Sequence, residues 1–82
     1  MSLKLKIVSP EKVEFNGDAE MVMVPGLMGI FEILINHAPI ISALQEGVVE
    51  FVTKEGRKEV AITGGFVEVQ KNHVNICVEK AQ

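Results

Sequence analysis

The 82-residue sequence contains no Trp and no Tyr, a single Cys and only two His. With aromatics at 5%, a core has to be assembled from Val, Ile, Leu and Met, a composition that suits strands. One cysteine, Cys77, cannot form an internal disulfide. His37, His73 and Cys77 are too dispersed to hold a structural zinc. No metal and no cofactor is therefore expected. No apolar run approaches the roughly 20 residues that cross a bilayer as a helix. The start, Met1-Ser2-Leu3-Lys4, lacks the long apolar region of a signal peptide, so the chain reads as cytosolic. Basic residues number 8 against 11 acidic and form no stripe, which argues against nucleic acid as a partner. No segment sustains a 3.6-residue apolar period.

What is present is a series of short apolar segments with turn signals every 6–12 residues. The expectation is one all-β domain over 1–82, a sandwich or a barrel of eight or more short strands. At this length only about 60% of the unfolded surface is buried on folding. Stability must come from close packing, a partner, or both. Leu3, Leu5 and Ile7 alternate with Lys4 and Lys6, as a strand with one wet face requires. Val13 and Phe15 run into Asn16-Gly17, which reads as the turn ending a second strand. Residues 21–24 are apolar on both faces, as in a strand buried twice. Lys54-Glu55-Gly56-Arg57 reads as a four-residue hairpin loop, and Gly64-Gly65 as a bend or bulge passing a strand between sheets. Lys71-Asn72 turns the chain into a last strand with Val74, Ile76 and Val78 on one face. Residues 79–82 form a polar end.

The stretch 24–47 organises the rest. It holds two of the three prolines and three of the seven glycines around the oily run 30–35. Pro25-Gly26 fits the centre of a type II turn. Ala38-Pro39 marks an irregular loop. Exposed apolar residues cost solubility, so this stretch belongs either to the core or to a partner. The nearby Met21, Met23 and Met28 are open to the same two readings.

Residue types for nucleophilic catalysis exist in Ser9, Ser42, Cys77, His37, His73 and Asp18, but none lies in a recognisable catalytic motif. Gly64-Gly65 is followed by a strand-like segment, not by the helix a phosphate loop needs. His37 either bonds backbone groups in its loop or lies on a docking surface. Lipoyl- and biotinyl-type carriers are of similar size, but Glu79-Lys80-Ala81 sits at the chain end, not in a hairpin.

Leu5-Lys6-Ile7-Val8-Ser9-Pro10-Glu11, Phe15-Asn16-Gly17, Val24-Pro25-Gly26 with Gly29, His37-Ala38-Pro39-Ile40, Ala43-Leu44, Gly47, Gly64-Gly65-Phe66-Val67-Glu68-Val69 and Val74 follow one another in a fixed order. That ordered set resembles the N-terminal β-domain of the ATP synthase ε subunit, over nearly the whole chain. Members commonly read Gly-Glu-Leu-Gly-(Ile/Val)-(Leu/Tyr)-Pro-Gly-His-Ala-Pro through the loop. Here Gly29, Ile33 and Leu34 match. Ile30, Phe31, Glu32, Ile35 and Asn36 stand where the family has Glu, Leu, Gly, Pro and Gly. The family's usual C-terminal helical hairpin has no counterpart in these residues.

The resemblance implies a flattened β-sandwich of two mostly antiparallel sheets, with about eight to ten short strands, at the foot of a rotary ATP synthase's central stalk. It would be a non-catalytic rotor component that fastens the γ subunit to the c-ring and couples proton or sodium flow to ATP synthesis. It would lie peripherally at the cytoplasmic face of the cell membrane, or on the matrix or stroma side in an organelle. Nucleotide binding and inhibition belong to the family's helical hairpin, so this domain is expected to bind no nucleotide. The polar loops of the c-ring are expected to meet Met28, Gly29, Ile30, Phe31 and His37. The γ subunit is expected to meet Met21, Met23, Ile40, Ser42 and Leu44. An unrelated all-β interaction domain is the alternative reading.

Overall fold

The computed structural model describes residues 2–80. Eight strands follow in order: β1 (Leu3–Val8), β2 (Val13–Ala19), β3 (Met21–Gly26), β4 (Gly29–Ile33), β5 (Ile40–Leu44), β6 (Gly47–Thr53), β7 (Gly56–Gln70) and β8 (His73–Lys80). No helix occurs among the described residues.

Strand β7 belongs to both layers. Its first half pairs with β6 from Gly56 to Ile62, and its second half pairs with β5 and β8. One layer is therefore β2-β1-β8-β7-β5, and the other is β4-β3-β6-β7. The molecule is flattened, 34 × 27 × 18 Å. All pairings are antiparallel except β1 with β8.

The passage between layers rests on one inserted residue. The β7–β8 register shifts between Ile62 and Gly64. Before the shift Ile62 is buried and Val60 packs against the core; after it Val67 and Val69 are buried. An extra residue inverts the two-residue alternation, so the inward positions change from even to odd. The same inversion turns Phe66 outward, where it is 48% exposed. Gly65 takes φ 148°, and a Cβ there would run into the Cys77 carbonyl oxygen. The glycine pair thus does what its position predicts.

The core is aliphatic. Leu3, Leu5 and Ile7 from β1 meet Val74, Ile76 and Val78 from β8, Val22 and Val24 from β3, and Val49 and Phe51 from β6. Phe15 stacks on Phe51 with centroids 4.6 Å apart and so closes β2 onto the second layer.

Several local expectations are corrected. Asn16-Gly17 is not a turn: β2 runs through it, pairing Asn16 with Lys6 and Gly17 with Leu5. The turn lies earlier, where Ser9 N–H donates to the Lys12 carbonyl at 2.9 Å. Pro25-Gly26 ends a strand, and Leu27-Met28 makes the turn. The strand expected over 30–35 is β4, one residue earlier at its start and two shorter at its end. The β6–β7 loop is Lys54-Glu55 alone, because Gly56 at φ 115° already pairs with Thr53. The polar end expected over 79–82 starts inside β8, and positions 81 and 82 lie outside the described residues.

Candidate functional site

The β3–β4 hairpin is built to be rigid and to hold apolar side chains in water. A two-residue loop closes on a hydrogen-bonded pair, here Gly26 with Gly29. The next pair, Pro25 with Ile30, is then one in which strand partners exchange no hydrogen bond, which suits a residue without an N–H. The Pro25 carbonyl indeed points away from β4 and accepts from Gln45 N–H at 2.9 Å. Gln45 Nε2 also donates to the Gly26 carbonyl at 2.9 Å. A Cβ on Gly26 would lie 2.9 Å from the Phe31 ring, so the ring covers that glycine directly. Gly29 has open space around it but φ 129°, so its backbone, not its size, demands glycine.

Beyond this base the apolar side chains stand free. Leu27 is 59% exposed, Met28 fully exposed and Ile30 73% exposed. Leu27 N–H donates to the Ala43 carbonyl at 3.2 Å, which brings β5 alongside the tip. Two residues before Ala43, Ile41 is also 73% exposed. Four large exposed apolar side chains therefore stand on two adjoining elements, the β3–β4 hairpin and β5.

The expected c-ring positions separate by role. Met28, Gly29 and Ile30 are at the exposed tip. Phe31 is half-buried and packs against the core. His37 is half-buried in the β4–β5 loop, its ring 6.5 Å from the Phe31 ring. Its Nδ1 lies 2.7 Å from the Ala38 carbonyl oxygen, a contact that makes Nδ1 the protonated nitrogen. The loop is held by Asn36, whose backbone N–H donates to Asn72 Oδ1 at 2.6 Å.

The expected γ positions fall into two groups, one on the outer face of β3 and one on the inward face of β5. Met21 and Met23 are half-buried on the outside of the second layer, beside Val52 and Glu50 respectively, while Val22 and Val24 fill the core. Ile40 packs against the core and Leu44 is buried within it. Ser42 is half-buried and donates to the Ala43 carbonyl. A buried Leu44 supports a surface but does not form one. The outward side chains of β5 are Ile41 and Ala43, since alternate residues face opposite ways. Leu27 and Ile41, exposed beside the tip, are not among the positions singled out from the sequence. An apolar residue signals burial until its strand's register is known.

The polar groups weighed for catalysis are engaged locally. Ser9 Oγ donates to Glu14 at 2.9 Å, and Lys80 Nζ lies 3.1 Å from the other oxygen of the same carboxylate. That hydrogen bond to Lys80 is the main reason the Glu14 carboxyl sits below the usual carboxylate range. Lys80 thus joins the end of β8 to β2 and lies in no hairpin, unlike a carrier lysine. Cys77 is half-buried on the outer face of β8, in an open groove of about 440 Å³ shared with Val8, Pro10 and Phe66.

Comparison with known proteins gives one family. The model of the ATP synthase delta/epsilon chain β-sandwich domain matches residues 2–82. The chloroplastic ATP synthase epsilon chain of Tetradesmus obliquus is 43% identical over 82 residues, all of this chain and 60% of that one. The ATP synthase epsilon chain of Leptospira borgpetersenii is 40% identical over 77 residues, 94% of this chain and 61% of the relative. The chain thus spans about three-fifths of the length of these curated relatives. In fold it superposes on a chain of the Euglena gracilis mitochondrial ATP synthase with TM-score 0.90 at 19% identity, covering 99% of this chain and 52% of that one. It superposes on a chain of the Tetrahymena thermophila central stalk and c-ring with TM-score 0.82 at 18% identity, covering 98% and 65%. This chain belongs to the ATP synthase delta/epsilon β-sandwich family.

Proposed function

We propose that this domain is a non-catalytic part of the rotor in a rotary ATP synthase, fastening the γ subunit to the membrane c-ring. The observation that carries the reading is a family sandwich holding Leu27, Met28, Ile30 and Ile41 in solvent on a braced hairpin and the adjoining β5. Large apolar groups left exposed on neighbouring elements mark a place where a partner binds. A sandwich core packed at near-crystal density makes that surface stiff enough to pass torque without yielding. Met28, Gly29 and Ile30 meet the c-ring loops, with Phe31 and His37 bracing them from behind. The γ subunit covers Met21 and Met23 on the second layer, together with the β5 region around Ser42.

The domain carries no chemistry of its own in this reading. Ser9, Ser42 and His37 satisfy neighbouring backbone and carboxylate groups instead of activating one another. Ion flow and ATP synthesis take place elsewhere in the complex, and the domain couples them by transmitting the rotation. It is peripheral to the membrane, on the side that holds the catalytic head.

Size exclusion of the chain mixed with a γ subunit from the same source, at two salt concentrations, tests this. A one-to-one complex is expected at both. A folded domain that forms no complex would overturn the rotor reading.

A further inference from the structure

The strands that border the two layers are not equally guarded. An open strand edge is a template for another chain, and proteins blunt it with charge, bulges or cover. Strand β2 carries Glu14, Asn16 and Asp18, shifts register against β1, and leans on β6 through Phe15 and Phe51. The free side of the first half of β7 carries Arg57, Lys58 and Glu59. On β5, Leu27 N–H closes onto the Ala43 carbonyl. Strand β4, Gly29-Ile30-Phe31-Glu32-Ile33, has none of these devices beyond one glutamate, and its register with β3 is unbroken.

Parity fixes which groups it offers. With Gly29, Phe31 and Ile33 hydrogen-bonded to β3, the N–H and C=O of Ile30 and Glu32 point out from the free edge. Ile30 is 73% exposed. Glu32 is exposed, pairs across β3 with Met23, and has no cation partner among the described residues. Beyond Met23, Glu50 is paired with Arg57 at 2.6 Å, so Glu32 is the unneutralised carboxylate beside this edge.

We propose that the free edge of β4 receives an extended segment of the γ subunit, which adds to the second layer as a further strand. The segment places Lys or Arg against Glu32 and bonds the outward main-chain groups of Ile30, leaving the Ile30 side chain to the ring contact. Main-chain bonds to an edge supply affinity, and the alternating side chains supply register. This rests on the reading that γ is the rotor neighbour, and it specifies how γ is held.

Amide hydrogen exchange of the chain, alone and bound to purified γ, tests it. Alone, Phe31 and Ile33 are protected while Ile30 and Glu32 exchange fast. In the complex, Ile30 and Glu32 become protected by about tenfold or more, roughly the worth of one hydrogen bond to an edge. Glu32→Pro removes an outward N–H, a change tolerated on an edge strand. It is expected to leave the melting curve in place and weaken γ binding by about tenfold. Glu32→Gln keeps the N–H and is expected to lose less affinity and flatten its salt dependence. A complex in which Ile30 and Glu32 stay unprotected would overturn strand addition and leave the rotor reading standing. Absence of any complex would overturn both. Protection that appears without γ and grows with concentration would assign the edge to a second copy of the chain and overturn the proposal. Should Glu32→Pro unfold, the exchange measurement on the unaltered chain decides alone.

Discussion

Asn36 and Asn72 grip each other across two turns that lie 36 positions apart in sequence. Asn72 Oδ1 accepts the Asn36 backbone N–H at 2.6 Å, and Asn72 Nδ2 donates to Asn36 Oδ1 at 3.3 Å. Both residues have left-handed backbones, φ 66° and 63°, a conformation asparagine tolerates better than most. The clasp ties the loop bearing His37 to the β7–β8 turn. Asn72→Gly keeps the backbone and removes both bonds. It should cost about 1 kcal/mol in urea unfolding, the worth of a net hydrogen bond, and should speed amide exchange at Asn36. Unchanged exchange there would mean that the loop is held by other contacts.

The two positive-φ glycines of β7 should behave differently. Gly56, φ 115°, has nothing within 4 Å of the place a Cβ would occupy, so Gly56→Ala strains only the backbone, at about 1–2 kcal/mol. At Gly65, φ 148°, the Cβ also collides with the Cys77 carbonyl. Gly65→Ala should cost more, about 3 kcal/mol or above, and disturb β7–β8 pairing. Equal urea midpoints for the two variants would show that the bulge relaxes freely.

Acid should weaken the fold through two carboxylates. The hydrogen bond from Lys80 holds the Glu14 carboxyl below its ordinary range, and that from Lys4 does the same for Asp18. A native carboxyl with a lowered pKa binds fewer protons than its unfolded counterpart in mild acid, so stability rises with pH there. The contribution is complete above the unfolded pKa and is lost as pH falls through the lowered native value. Lys80→Met removes the largest cause of the Glu14 share, keeps the smaller ones from Ser9 and Lys12, and leaves the share of Asp18. Its stability–pH curve should therefore be shallower than that of the unaltered chain below the ordinary carboxylate pKa. Parallel curves would show that the Glu14–Lys80 pair is energetically silent.

Much of this was legible where one physical rule acts alone. Alternation in Leu3-Lys4-Leu5-Lys6-Ile7 fixes the buried face of β1, and Val74, Ile76 and Val78 do the same for β8. Gly64-Gly65 marks the bulge because no side chain fits at Gly65. Reading failed where pairing overrides local preference. Asn16-Gly17 and Pro25-Gly26 carry strong turn propensity, yet both are strand. Asn16 and Gly17 are held in register by β1, and Pro25 occupies a pair that asks nothing of its missing N–H. The surface was least legible. Ile40 and Ile41 are the same residue type one position apart, and only the β5–β7 register sends one to the core and the other to solvent.

The same register argument separates two neighbours on β3. Val24 is fully buried, whereas Met23 is half-buried on the outer face between Glu32 and Glu50. Val24→Lys puts an unpaired charge into the core and should unfold the domain, at about 3 kcal/mol or more. Met23→Lys meets two carboxylates and should leave stability within about 1 kcal/mol. If Met23 is covered by γ, the second variant keeps its circular dichroism but loses the complex. A Met23→Lys domain that unfolds would place that side chain in the core instead.

In the proposed contact with the ring, Ile30 sets the chemistry. At the position where the family resemblance leads one to expect Glu, this chain holds an isoleucine that is 73% exposed. Burying such a side chain contributes roughly 1.5–3 kcal/mol, more than the roughly 0–1 kcal/mol of an exposed ion pair. Ring binding here should therefore depend weakly on salt, because burial of apolar area is not screened. Ile30→Ser should leave the melting temperature nearly unchanged, since the side chain is mostly in water already. It should weaken binding to purified c-ring about tenfold or more. Ile30→Glu should weaken binding as well and make what remains steeply salt-dependent. A strong salt dependence in the unaltered chain would mean that charges elsewhere on this end, not Ile30, hold the ring.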